Sequence, residues 1–432
     1  MNDQQFFRDD NSFRDERRRL TQADHANLVQ GQLDSLNRML SFVLPRNQFY
    51  REKLGSNDLQ IKNLEQLREL PFTYKDELIE NERQRGFPAN LTFPLDHYVR
   101  LHRTSGMRAR PLVVLDTPED WVWWIKTWQF VLDAAEIDSS DRCLLAFSFG
   151  PFIGFWSAFD AIVARNAMAI PSGGMNTLAR LELLRSTRAT AMFCTPSYAL
   201  HLAEVATANQ IDVSDLAVRR IVVAGEPGGS IPAIRSQIES FWNAKVIDHG
   251  GASEIGPWGF ADPAQRGLYI NESEFIAEFL SAETGQPADE GELSELVLTS
   301  LGRWGSPVIR YRTGDLVRPT WNDDQACRFV LLQGGVLGRT DDMMVIRGVN
   351  VFPSSIEQIL RSFPEVIEYR MTVLKQGAMD HLLIEVEDRL DQPDRIQTEL
   401  RLRLGLRVEV ACVPMGSLPR FEGKGRRFVD KR

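Results

Sequence analysis

Over the first 45 residues charged and apolar positions alternate with helical spacing, and Pro45 ends that lead-in. The pattern then changes. Between about residues 110 and 260 short apolar runs alternate with amphipathic stretches, as buried strands do when helices pack across them. Ala189–Cys194 is one such run, followed by a helical pattern over Pro196–Asn209. Arg220–Ala224 is another and stops at Gly225; Ile234, Ile238 and Phe241 then recur at i, i+4 and i+7 before a strand at Lys245–Asp248. The longest uncharged run, Cys143–Phe159, is broken by Gly150, Pro151 and Gly154 and closed by Arg142 and Asp160. It is shorter than the ~20 residues a spanning helix needs, so it reads as a buried strand, loop and helix, and no membrane segment is expected. Trp121, Trp124, Ile125 and Trp128 share one helix face, the spacing of a core or of a subunit interface.

Beyond Gly338 the pattern becomes mixed. Ser354 and Glu357 have capping-box spacing ahead of the apolar face Ile356, Ile359, Leu360 and Phe363. Strand runs at Met371–Leu374 and His381–Glu387 flank KQGAMD, and a helix at Asp394–Leu404 precedes a last strand at Val408–Val413. The expected fold class is therefore α/β: a large multi-layer N-terminal domain over residues 1–337 and a small α+β C-terminal domain over 338–432.

Composition narrows the function classes. With 43% hydrophobic and 25% charged residues the chain is ordinary globular protein. Fifty Lys and Arg against 59 Asp and Glu leave a net charge of −9, which argues against a general role on nucleic acid. Cys143, Cys194, Cys327 and Cys412 form no CxxC pair, and the six histidines have no zinc-ligand spacing. The charged N-terminus lacks the apolar core of a signal peptide, so a reduced, cytoplasmic location is expected.

The chemistry must then come from short polar segments at strand ends, where open α/β sheets bind ligands. In Arg103–Pro111 (RTSGMRARP), two hydroxyls, a glycine, Arg108 and Arg110 suit a polyphosphate. Asp248–Gly256 (DHGGASEIG) puts Glu254 at a strand end, where one carboxylate can hold Mg²⁺ on a phosphate. In RYRTGDL the two oxygens of Asp315 match a vicinal diol, and Lys424, between glycines near the end, can reach another domain's ligand. Taken singly, each also reads as an ordinary turn or a solvated tail.

In this order and spacing the segments resemble the adenylate-forming enzymes of the phenylacetate–CoA ligase type. The resemblance runs from FYREKL at Phe49 and LPFTYKDEL to LPRFEGKGRRFVDKR, and is most specific in ETGQPADEGELSELVLTS, IRYRTGDL and GRTDDMMVIRGVNVFP. It implies ATP, Mg²⁺ and coenzyme A as cofactors and a small carboxylic acid as substrate. The acid attacks the α-phosphate to give acyl-adenylate and pyrophosphate, and a thiol then takes the acyl group. The resemblance assigns Thr104, Ser105 and Gly106, with Arg108 and Arg110, to the phosphate loop. It assigns Gly225, Glu226 and Pro227 to the adenine-side turn, and Ser253 and Glu254 to the α-phosphate and metal. Asp315 and Arg339 fall on the ribose contacts, Gly348 on the pantetheine tunnel, Lys424 on the bridge between carboxylate and phosphate, and Asp341 on the pivot of a mobile C-terminal domain. A homodimer would suit the family.

Two departures stand out. The phosphate loop, usually S-S-G-T-T-G-K-P, has Met107 and Arg108 for hydroxyls, Ala109 for a glycine and Arg110 for the lysine. The Glu254 motif opens Gly250-Gly251 where Tyr-Gly is usual, losing an adenine-stacking ring worth about 1 kcal/mol. Neighbouring His249 reads either as its replacement or as a structural histidine. Two alternatives stay open: adenylation with transfer to a carrier protein, an amine or a protein cysteine, and a non-catalytic nucleotide- or acyl-binding homologue. Acid-pocket walls are expected from Phe147–Phe159 and the segment after Gly250.

Overall fold

The computed structural model describes residues 7–104, 111–147, 149–321, 326–340, 344–346, 349–376, 379–404, 408–420 and 427–431. The apolar runs become the parallel half of one sheet. Five strands, Lys245–Ala252, Arg220–Ala224, Ala191–Cys194, Arg142–Leu145 and Met168–Pro171, lie side by side in that order and run parallel. Four antiparallel strands extend the sheet from Gly256–Ala261 to Pro319–Thr320, so it is mixed. Continuous Val, Ile and Ala runs suit the parallel half because helices cover both faces of such strands. The uncharged run forms the strand Arg142–Leu145 and the helix Ile153–Ala164, with a loop between them. No helix among the described residues is long and apolar enough to cross a membrane.

A second, antiparallel layer comprises Phe275–Ser281, Ser294–Ser300, Tyr311–Val317 and Gly338–Arg339. The lead-in forms two helices, Asn11–Thr21 and His25–Val43, each started by an aspartate side chain that accepts from first-turn N–H groups. The second helix buries Leu33, Leu36, Leu40 and Val43 against Ile276 of the antiparallel layer and Leu301 and Ile309 of the loop joining two of its strands.

The tryptophan stripe lies on the helix Pro118–Ala134 and is core. Its indole N–H groups are all used: Trp121 donates to Asp160, Trp124 to Asp116 and Trp128 to Ser157, at 2.8, 3.2 and 2.9 Å.

The C-terminal sheet has the order Glu409–Cys412, Met379–Asp388, Val366–Gln376, Phe428–Asp430, with a separate core from Ile346 to Val408. The helix Pro232–Trp242 buries Ile234, Ile238 and also Trp242, with Phe241 partly buried against the same core. Two local expectations are corrected. The Ser354–Glu357 capping box does not form: Pro353 takes the first helical position after Phe352, and Glu357 turns toward Tyr369, where burial pushes its carboxyl up. Val408–Val413 is not the last strand, because Phe428–Asp430 adds in parallel to Val366–Gln376.

Candidate active site

The first component is a hairpin. Arg100–Arg103 pairs with Val113–Asp116, in register Arg100↔Asp116 to Arg103↔Val113, and the arginine-rich loop joins them. Thr104 closes its base: its N–H donates to Leu112 O at 3.0 Å and its Oγ1 accepts from Leu112 N at 2.9 Å.

Glu254 sits in the turn between the strands Lys245–Ala252 and Gly256–Ala261. Tyr311 donates to its Oε1 at 3.0 Å, and the Lys75 ammonium lies 3.5 Å from the same oxygen. Burial alone would raise the Glu254 carboxyl; the charge of Lys75, the Tyr311 hydroxyl and the charge of Arg339 outweigh it and hold the carboxyl below its ordinary value. Burial, then the Glu254 charge, pushes the Tyr311 phenol up, so it keeps its proton and remains the donor. Lys75 reaches this point because Thr73 is stitched beside Tyr311. Thr73 N donates to Arg310 O at 2.9 Å, Arg312 N donates to Thr73 O at 3.0 Å, and the helix Lys75–Arg85 starts two residues later.

Asp315 and Arg339 face each other across the strand pair Tyr311–Val317 and Gly338–Arg339, and Arg339 Nη1 donates to Asp315 Oδ1 at 2.9 Å. Gly314 has φ +75°, and a Cβ there would sit 3.0 Å from the Arg339 guanidinium, so this turn needs glycine. In the nine-stranded sheet Gly225 follows the C-terminal end of the interior strand Arg220–Ala224 with φ +93°. Glu226 reaches back to the first turn of the helix Pro196–Ala208, accepting from Ser197 N at 2.8 Å, while part-buried Pro227 ends the turn.

Gly250 and Gly251 lie in the strand Lys245–Ala252. A Cβ on Gly250 would meet the Trp258 ring at 2.7 Å, so that indole fills the direction a tyrosine side chain would take. His249 is structural: burial lowers it to about 4, it donates from Nδ1 to Gly259 O at 2.8 Å, and its ring packs on Trp128. Ser253 contributes its carbonyl, which accepts from Arg303 Nη1 at 2.8 Å. Ser105, Gly106, Arg108, Arg110, Asp341, Gly348 and Lys424 lie outside the described residues. So do Met107 and Ala109.

Residues 348–432 match the AMP-binding enzyme C-terminal domain. Over 433 residues the chain is 30% identical to the phenylacetate-coenzyme A ligase of Thermus thermophilus, covering 93% of this chain and 96% of the relative. The chain belongs to the phenylacetate–CoA ligase family. Within that family the Escherichia coli K12 phenylacetate-coenzyme A ligase is 32% identical over 403 residues, covering 89% and 90% of the two chains. The solved structure of 2-hydroxyisobutyryl-CoA ligase, in the postadenylation state with R3-HIB-AMP, matches this phenylacetate–CoA ligase family member with a TM-score of 0.90. The two are 26% identical, with 96% of this chain and 92% of that one covered. The same ligase in the thioesterification state, with 2-HIB-AMP and CoA, matches at 0.72, also 26% identical and covering 95% and 91% of the two chains.

The fold thus brings Glu254, Asp315 and Arg339 together around Tyr311, with Lys75 beside them. Lys75, Tyr311 and Arg303 were not singled out from sequence. Lys75 sits inside LPFTYKDEL and Tyr311 inside RYRTGDL, segments that carried the resemblance, but only their meeting at Glu254 reveals a role.

Proposed function

We propose that the chain is an ATP-dependent acid–CoA ligase, activating a small carboxylic acid as its acyl-adenylate and transferring the acyl group to coenzyme A. The observation that carries this reading is the ionised, largely enclosed Glu254 beside Lys75, set across Tyr311 from the Asp315–Arg339 pair. Family membership gives it the chemistry.

In this reading Asp315 accepts from the ribose hydroxyls, and Arg339 fixes the orientation of that carboxylate. Thr104 holds the ends of the loop that the resemblance assigns to the phosphates, with its Ser105, Gly106, Arg108 and Arg110. No group of three or more potential metal-ligating side chains occurs among the described residues. Mg²⁺ on nucleotide phosphates needs only one or two carboxylates, so Glu254 suits it. When bound, Mg²⁺ supplies neutralisation of phosphate charge. Tyr311, still protonated, donates a hydrogen bond to Glu254 Oε1, and Lys75 adds a positive charge beside the same oxygen. By resemblance Lys424 bridges the attacking carboxylate and the phosphate; such work is positional and electrostatic.

We further infer a division near Gly338 with Asp341 as its pivot. The separate C-terminal core supports that division, and the higher TM-score to a postadenylation state than to a thioesterification state supports an adenylation-side arrangement here. The test is product analysis with ATP, Mg²⁺, coenzyme A and a set of aryl and aliphatic acids. Acyl-CoA and AMP formed in equal amounts are expected. Acyl-adenylate that leaves coenzyme A untouched and goes to an amine or carrier protein would overturn the acceptor.

A further inference from the structure

Arg303 is fully buried on the 301–306 loop between the strands Ser294–Ser300 and Tyr311–Val317. A guanidinium so enclosed persists only where partners take up its charge and donors. Its Nε donates to Asp116 Oδ1 at 2.8 Å and its Nη1 to the Ser253 carbonyl at 2.8 Å. Asp116 is itself fully enclosed and ends the hairpin that carries the phosphate loop; Ser253 precedes Glu254. One side chain therefore ties the turn that carries Glu254 to the second strand of that hairpin, at the Arg100↔Asp116 end.

The loop beneath Arg303 is fixed. Gly305 N donates to Asp120 Oδ1 at 3.0 Å and Ser306 Oγ to Leu115 O at 2.6 Å. A Cβ at Gly302 would overlap the Trp123 indole, and one at Gly305 the Asp120 carboxylate. Arg303 Nη2 lies 2.7 Å from Asp116 Oδ1, and the His102 ring nitrogen lies 3.8 Å from Asp116 Oδ2, which takes no hydrogen bond among the described residues.

We infer that Arg303 is a positioning residue for the metal–phosphate end of the site, setting Glu254 against the phosphate-loop hairpin through the Ser253 carbonyl and Asp116. This rests on the ligase reading. Lysine can keep a cation beside Asp116, but one ammonium cannot reproduce the two-armed bridge to Ser253.

The test is calorimetric binding of ATP, with and without Mg²⁺, and of AMP, to wild type, Arg303→Lys and Asp116→Asn, with thermal unfolding of each. Arg165→Lys, in a buried ion pair with Asp9 and Asp133 elsewhere, controls for general destabilisation. Folded Arg303→Lys is expected to lose about tenfold or more of the Mg²⁺-dependent ATP affinity, the usual scale for residues that support a ligand-holding side chain, and to bind AMP as wild type does. Asp116→Asn should show the same selective loss, which keeps the test valid if Arg303→Lys does not fold. Unchanged Mg·ATP binding in a folded variant, or equal loss for AMP and Mg·ATP, would overturn the inference. Wild type that binds no Mg·ATP would instead refute the ligase reading.

Discussion

Restoring the family's aromatic at residue 250 should damage this chain. A Cβ on Gly250 meets Trp258 Cη2, Cζ2 and Cζ3 at 2.7, 2.9 and 3.0 Å, whereas unstrained carbon pairs sit at roughly 3.5–4.0 Å. Trp258 is 1% exposed and has no outward route, so about an ångström of overlap must be absorbed by packed neighbours. Overpacking of this kind costs about 1–3 kcal/mol. Alanine recovers up to ~1 kcal/mol by restricting the unfolded chain, and with that recovery the net effect of Gly250→Ala is a loss of up to about 2 kcal/mol. Urea unfolding of Gly250→Ala, Trp258→Leu and the double variant reads it. In the Trp258→Leu background the alanine should cost close to nothing, leaving a coupling of about 1 kcal/mol or more. An equal cost in both backgrounds would refute the packing argument, as would a Gly250→Tyr protein of unchanged stability that binds ATP more tightly.

Lys75→Met removes the nearest cation from Glu254, so its carboxyl rises and the acid limb of the ATP–pyrophosphate exchange profile should move to higher pH, with turnover above that limb reduced. Asp315→Ala should weaken ATP binding about 10–100-fold by calorimetry, the worth of hydrogen bonds to a charged group, while leaving urea stability nearly unchanged. Glu274, buried against the Trp123 indole at 2.6 Å, has its carboxyl raised by burial from 4.5 to about 7. The stability it gives is complete below pH 4.5 and is lost as pH rises through about 7. Glu274→Gln should therefore match wild type at pH 4.5 and exceed it by up to ~3 kcal/mol at pH 8, read by urea titration at both pH values.

The parallel half of the sheet was legible because its strands are unbroken apolar runs, as Arg220–Ala224 illustrates by matching its expected bounds. The antiparallel strands from Gly256 to Ser300 were not read in the same way. Their burial depends on neighbours distant in sequence, such as the lead-in helix that packs on Ile276. Phe428–Asp430 escaped notice because three residues become a strand only by adding to Val366–Gln376. In the site, residue types pointed to Asp315 and Glu254 and resemblance to Arg339, but not to the cross-strand pairing that joins Asp315 to Arg339. Nor does spacing reveal that Thr73 docks beside Tyr311 and so carries Lys75 onto Glu254. The tryptophan stripe was ambiguous between core and interface until the indole partners were seen.

The central claim is adenylation, and ATP–pyrophosphate exchange tests it most directly. Purified protein with Mg²⁺ and a panel of aryl and aliphatic acids should exchange pyrophosphate into ATP with at least one acid, and Glu254→Gln should abolish that exchange without unfolding the chain. Absence of exchange with every acid, in protein that binds ATP, would contradict the account and leave a nucleotide-binding homologue in its place.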